Sequence, residues 1–273
     1  MYIEDYPHSK WGDDAKSNLI RLGHRLVESG KSEYEAIIKT MEQENNEELV
    51  LTALTALQNI GDKKALTSLL EIYNNNRSYK VRKRIIFSLS QIQAPEATNK
   101  LIEIARNESD KNLRQEAIFW LGQKGNSEKI VNILVDIVNQ DTDLEIQKKA
   151  IFALSQSNHP SVTSQLIKIA QKNKNEEVQK QAIFWLGQKA SSPEIIKALE
   201  NIIESDHNIN IQDQAIFALG QAPNNKGIPV LIKIAKHHPR NEIRKKAIFW
   251  LGQSKDPRAK DALLEIINST NIE

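Results

Sequence analysis

The string Ala-Ile-Phe-Trp-Leu-Gly-Gln occurs three times, starting at Ala117, Ala182 and Ala247, with 65 residues from each start to the next. Between these lie Ala-Ile-Phe-Ala-Leu-Ser-Gln from Ala150 and Ala-Ile-Phe-Ala-Leu-Gly-Gln from Ala215, again 65 apart. Looser copies begin at Ile85 and Ala53. The seven anchors therefore follow one another every 32 or 33 residues. Seven copies at so constant a period mark a repeat architecture. Each unit is a single supersecondary element that buries its apolar face only against its neighbours.

Each unit reads as two helices. In residues 160–189, Val162, Leu166, Ile167, Ile169 and Ala170 share one helical stripe. A polar break at Lys174-Asn175 follows, and then Val178, Ala182, Ile183 and Leu186 form a second stripe. The Gly or small residue after that stripe is expected to end the helix, where a left-handed residue is cheap. Pro95, Pro160, Pro193, Pro223, Pro239 and Pro257 fall at helix boundaries, and Pro229 falls in a first turn, where proline is tolerated. The expected fold is all-α: a right-handed α-solenoid of helical hairpins with a period of 32–33 residues and a double period of 65. It is read as a single domain over residues 1–273, with a tail at 1–12, an N-terminal half-repeat at 13–30, seven repeats over 31–256 and a C-terminal half-repeat at 257–273. In the N-terminal half-repeat Ala15, Leu19 and Ile20 match the stripe of a second helix. About sixteen helices follow from this count.

Composition narrows the function. The chain has 37 Lys and Arg against 35 Asp and Glu, an excess too small to mark a nucleic-acid binder. It has no cysteine, which excludes disulfides, zinc–thiolate sites and a cysteine nucleophile. No apolar run approaches the roughly 18 residues of a membrane span. The polar, acidic start of the chain shows no signal peptide. The expected location is the bacterial cytoplasm, or the periplasm or envelope if the chain is an excised domain.

The pattern Val-Arg-x-x-Ala-x-x-x-Leu-Gly after an acidic or Asn-rich turn resembles HEAT-like repeats. Val81-Arg82 with Leu89, Leu113-Arg114 with Leu121-Gly122 and Ile243-Arg244 with Leu251-Gly252 carry it best. The Ala-Ile-Phe-Trp-Leu-Gly-Gln form is similar to bacterial HEAT-repeat domain proteins, and the resemblance covers about residues 46–270. Three units depart from it by placing Gln147, Gln179 and Gln212 where the family usually has Arg. A glutamine still hydrogen-bonds across the turn, but it lacks a charged link to a turn carboxylate. The resemblance implies a solenoid with a scaffolding or binding role and no particular reaction.

Counting each second helix from its first stripe residue as position 0, positions 0, 4, 5 and 8 cluster towards the core and positions 3, 6 and 10 lie opposite. In HEAT-like solenoids the second helices line the concave face, so the resemblance implies that this opposite side faces a groove. Position 6 holds Phe87, Phe119, Phe152, Phe184, Phe217 and Phe249, all six phenylalanines of the chain. Position 10 holds Gln91, Gln123, Gln156, Gln188, Gln221 and Gln253. Two readings stand for the rings: mortar between adjacent second helices, or a ligand-facing ladder in which rings anchor a peptide and amides satisfy its backbone. Position 7 alternates Ser88, Trp120, Ala153, Trp185, Ala218 and Trp250, large facing small, as close packing between repeats requires. Positions 2 and 3 carry Lys83, Arg84, Lys148, Lys149, Lys180, Lys245 and Lys246 against Glu116 and Asp213. That excess of cations implies a mildly basic face suited to an acidic protein segment.

Catalytic patterns are missing. There is no Gly-rich phosphate loop, nucleophile elbow or His-Glu-x-x-His motif, and the adjacent pair His237-His238 cannot point one way from a helix. Some HEAT-like enzymes are di-iron hydroxylases with repeated His-Glu pairs, which this chain lacks. The expectation is a non-enzymatic scaffold, without catalytic, metal or cofactor residues, that binds a protein or peptide partner. Its candidate surface comprises the rings from Phe119 to Phe249, the amides from Gln123 to Gln253, and Lys148, Lys149, Lys180, Lys245 and Lys246. A nucleic-acid-binding HEAT-like protein is the alternative, disfavoured by the near-neutral charge. A HEAT-like lyase-type subunit acting on a protein partner, as in bilin lyases, is a lesser one.

Overall fold

A computed structural model describes residues 20–21, 24–25, 27–28, 35–124, 127–205 and 208–269. The described residues contain α-helices and one 310 turn and no strand. The chain divides into two compact units, residues 1–97 and 98–273.

The first unit holds α1 (Glu35–Ile60), α2 (Lys63–Asn75) and α3 (Tyr79–Gln91). Residues 20–21, 24–25 and 27–28 are helical, whereas Ala15 and Leu19 of the expected half-repeat and the tail at 1–12 lie outside the described residues. Where the sequence reading places the first hairpin, α1 runs unbroken for 26 residues. The stretch that precedes Leu49, from Glu42 to Glu48, contains only Glu, Gln and Asn, with no Gly or Pro to break a helix. Glu47, in this unbroken stretch, accepts hydrogen bonds from Ser78 Oγ and from Lys80 Nζ (3.0 Å for the lysine).

The second unit continues with α4 (Pro95–Asn107, its first turn at the unit boundary), α5 (Lys111–Lys124), α6 (Glu128–Gln140) and α7 (Leu144–Gln156). Then come α8 (Ser161–Lys172), α9 (Glu176–Gln188), α10 (Pro193–Ser205), α11 (Ile209–Gly220), the 310 turn Pro223–Asn225, α12 (Ile228–His237), α13 (Asn241–Gln253) and α14 (Pro257–Ser269). The second helices α5, α7, α9, α11 and α13 pack each on the next, and behind them α6 packs on α8, α8 on α10 and α12 on α14. The core positions are as the period requires: Ile146, Ala150, Ile151 and Leu154 are fully buried, as are Val178, Ala182, Ile183 and Leu186.

Polar side chains close each hairpin. Asp143 Oδ1 accepts from the amides of Glu145 and Ile146, and Asn175 Oδ1 from that of Glu177, so turn residues cap the second helices. Gln147 Nε2 donates back to Val138 O (3.0 Å) and Asp141 O (2.9 Å). Gln179 reaches Ala170 O and Gln212 reaches Ile203 O, the same nine-residue reach that Arg114 and Arg244 make to Ala105 O and Ala235 O. The glutamines therefore replace arginine in tying the two helices of a hairpin together. Arg114 adds the charged link, to Asp141 of the following turn.

Of the glycines after the second stripe, Gly122, Gly187 and Gly252 lie inside helices and Gly220 is the last residue of α11, and none of the four has a positive φ. Gly61 is the only described glycine with positive φ (+62°). Gly122 and Gly187 are buried inside helices, where a Cβ would lie 2.8 Å from Ala153 Cβ and Ala218 Cβ respectively. They are there for close approach of neighbouring backbones. Gly220 lies against the Trp250 ring instead. Alanine at position 7 lets one pair of helices touch and tryptophan spaces the next pair, which is the physical content of the 65-residue period.

Candidate functional site

The second-helix face of the second unit is built from one register repeated five times. Phe119, Phe152, Phe184 and Phe217 are half-buried, and Phe249 is 58% exposed. Phe119 and Phe152 stack across α5 and α7 with ring centroids 6.3 Å apart and planes 6° from parallel. Phe152 meets Trp185 at 5.3 Å, and Phe217 meets Trp250 at 5.3 Å. The rings thus bridge adjacent repeats while each keeps part of its surface open, so mortar and exposed ladder describe the same side chains. Phe184 has only its own neighbour, Trp185, as an aromatic partner among the described residues. The Trp185 indole N–H is buried without a hydrogen-bond acceptor among them.

The position-10 amides flank this row. Gln123, Gln156, Gln188, Gln221 and Gln253 are all exposed. Gln156 Nε2 donates to Ser155 Oγ, as Gln91 does to Ser90 Oγ in the first unit. The other four make no side-chain hydrogen bond among the described residues.

Most of the candidate cations are already engaged. Lys148 Nζ lies 3.1 Å from Glu145 and Lys246 Nζ lies 2.7 Å from Asp213. Lys180 Nζ lies 2.6 Å from Glu177 and 3.8 Å from Glu176; the Glu177 hydrogen bond in particular raises its pKa. The amides of Asn208 and Asn210, from the next turn, donate to Glu176 and hold its carboxyl below the usual range, with Lys180 adding to the effect. Lys149 Nζ sits 5.0 Å from the Phe119 ring centroid and 5.5 Å from that of Phe152, a cation held over two π faces. Lys245 is exposed and has no ion pair among the described residues. The basic excess left at positions 2 and 3, after Glu116 and Asp213 are set against the cations, is thus largely balanced by Glu145, Glu176 and Glu177, just N-terminal to that window.

The structure adds two residues to the candidate face. A depression of about 330 Å3 is lined by Glu177, Lys180, Gln181, Phe184 and Gln214. Gln181 and Gln214 occupy position 3, which the helical angle turns to this side. In the sequence that position stands out through its charged residues, and an uncharged amide there carries no comparable signal. Among the described residues no three His, Cys, Asp or Glu side chains converge as a metal site would need, and no helix is long and apolar enough to cross a membrane.

The sequence matches a family described as HEAT repeats over residues 34–111, 98–187, 163–227 and 196–273. No curated protein sequence matches it. Among solved structures it is similar to human deoxyhypusine hydroxylase in complex with glycerol, at 17% identity and a TM-score of 0.34, over 81% of this chain and 84% of that one. It is also similar to the complex of CpcE and CpcF of phycocyanin lyase from Nostoc sp. PCC7120, at 16% identity and a TM-score of 0.34, over 80% of this chain and 88% of that one.

Proposed function

The chain belongs to the HEAT-repeat family, and on that premise we propose that it is a non-enzymatic scaffold whose second-helix face docks a protein or peptide segment. The observation that carries this reading is the row of partly open rings, one on each of five consecutive second helices, beside exposed amides. A docked segment lays apolar side chains over Phe119, Phe152, Phe184, Phe217 and Phe249. Its backbone pairs with Gln123, Gln156, Gln188, Gln221 and Gln253, whose amides supply both donors and acceptors. Lys245 is the free counter-ion for an acidic residue, while Lys148, Lys180 and Lys246 must first give up their carboxylates. Charge therefore acts on encounter more than on affinity.

Selection of displayed random peptides on the folded chain tests this. Recovered peptides should bind at least about tenfold more weakly (a cost of about 1.4 kcal/mol) to the Phe152→Ala/Phe184→Ala variant. The reading fails if no peptide is recovered, or if those recovered bind both proteins equally. A duplex DNA titration over a salt series runs beside it. Binding that weakens steeply with salt transfers the face to nucleic acid.

A further inference from the structure

Position 3 of the second helices lays a cation over the position-6 rings at two places and leaves a gap at a third. On α7, Lys149 holds its ammonium over both Phe119 and Phe152, which stack against each other. On α3, the guanidinium carbon of Arg84 lies 4.8 Å from the Phe87 ring centroid. One 65-residue period after Lys149 the same place is Gln214, and one period after Glu116 it is Gln181. Both amides are half-buried, yet neither makes a side-chain hydrogen bond among the described residues. Phe184 and Phe217 do not stack as Phe119 and Phe152 do, and among the described residues no cation lies over the Phe184 ring. In place of ring pair and cation there is the depression of about 330 Å3 lined by Glu177, Lys180, Gln181, Phe184 and Gln214.

Building on the docking reading, we propose that this depression takes an arginine of the docked segment, its guanidinium over the Phe184 ring in the place that Lys149 fills one period earlier. A guanidinium is planar, so it lies flat on an aromatic face while its N–H groups reach acceptors around the ring. The acceptors here are the side-chain oxygens of Gln181 and Gln214 and the Glu177 carboxylate, which adds a charge-assisted partner. Lys180 gives up Glu177 without losing every counter-ion, because Glu176 already lies 3.8 Å from its ammonium. A carboxylate in the same place would lie against the negative face of the ring and against Glu177. A lysine would use the ring, but its compact ammonium has three donors and no plane to spread them among separated acceptors.

Para-fluorophenylalanine in place of all six phenylalanines gives one fluorine resonance per ring, with that of Phe184 assigned through Phe184→Leu. Titration with N-acetylarginine amide should shift the Phe184 resonance more than the other five. N-acetylcitrulline amide, neutral and of the same shape, should leave it in place. Gln214→Lys supplies the chain's own cation, as α7 does. Circular dichroism should show this variant folded, and its Phe184 response to arginine should be lost. Lys149→Gln is the reverse exchange, and the resonances of Phe119 and Phe152 should then respond. The inference is overturned if Phe184 does not respond, if the two probes move it alike, or if Gln214→Lys responds as the wild type does. Docking is read separately on the displayed peptides. Recovered peptides that carry no arginine, or that bind equally once it is changed to citrulline, overturn the inference and leave docking standing. A Phe184 response in a chain that recovers no peptide keeps the guanidinium site and removes the docking face.

Discussion

Replacing glycine by alanine at Gly187 and at Gly252 makes one chemical change at one helix register in two different surroundings. Both residues are the penultimate residue of a second helix, and both follow the sequence Ala-Ile-Phe-Trp-Leu. Alanine is favoured over glycine in a helix by about 0.5–1 kcal/mol, and this gain is common to both sites. At Gly187 the added methyl meets Ala218 Cβ at 2.8 Å and Ala218 Cα at 3.0 Å, inside van der Waals contact and partly against backbone. The helices must separate, at a cost of about 1–3 kcal/mol for an overpacked site. At Gly252 the methyl meets nothing within 4 Å. Gly252→Ala should therefore be neutral or stabilising and Gly187→Ala destabilising, with a gap of about 1–3 kcal/mol between them. Ala218→Gly should recover only part of the Gly187→Ala loss, because the backbone atom remains in the way. The assay is urea unfolding followed by circular dichroism, with hydrogen exchange of α9 and α11 to localise the change. Equal shifts at the two glycines would refute the account of the double period as alternating close and spaced helices.

Trp185→Ala removes the ring that fills the α7–α9 gap and should cost about 3–5 kcal/mol, whereas Phe184→Ala should cost about 1–2 kcal/mol; denaturant melts that show equal large losses would make the rings mortar alone. Gln147→Leu strips two carbonyls of their donor and should cost about 1–3 kcal/mol. Gln147→Arg should recover part of this, since Arg114 and Arg244 make the equivalent reach. The Asp256 carboxyl, held down to about 2 first by its hydrogen bond from the Arg258 guanidinium, also accepts from the Arg258 amide at the start of α14. A depressed acid stabilises the fold above its ordinary range, near about 4. That contribution is lost as pH falls through about 2, so the protection of α14 amides from exchange should drop across this interval in the wild type and stay flat in Asp256→Asn.

The solenoid was legible because its signal is redundant. Each core position recurs six or seven times, and a single exception does not hide the period. What the sequence concealed lies at single positions. Helix α1 runs unbroken through the expected first hairpin because the residues from Glu42 to Glu48 only permit a break and do not impose one. Gly122 and Gly187 read as helix stops because glycine serves both left-handed turns and close approach, and the Ala153 and Ala218 backbones that decide between the two come from the next repeat. The candidate face was legible in its rings and amides, whose angles follow from helix geometry. Its charge was not, because Lys148 and Lys180 are neutralised by Glu145 and Glu177 one turn earlier, and Lys246 by Asp213 of the preceding repeat.

The ring row as a docking surface is tested most directly by hydroxyl-radical footprinting of the chain with and without a peptide selected on it. In the free protein Phe152, Phe184, Phe217 and Phe249 should be oxidised, because each keeps open ring surface, while the fully buried Ile151 and Ile183 should be spared. With peptide added, protection should fall on those rings and leave exposed first-helix residues such as Lys168 and Lys197 unchanged. Rings that resist oxidation in the free chain, or protection that appears on the first helices instead, would contradict the account.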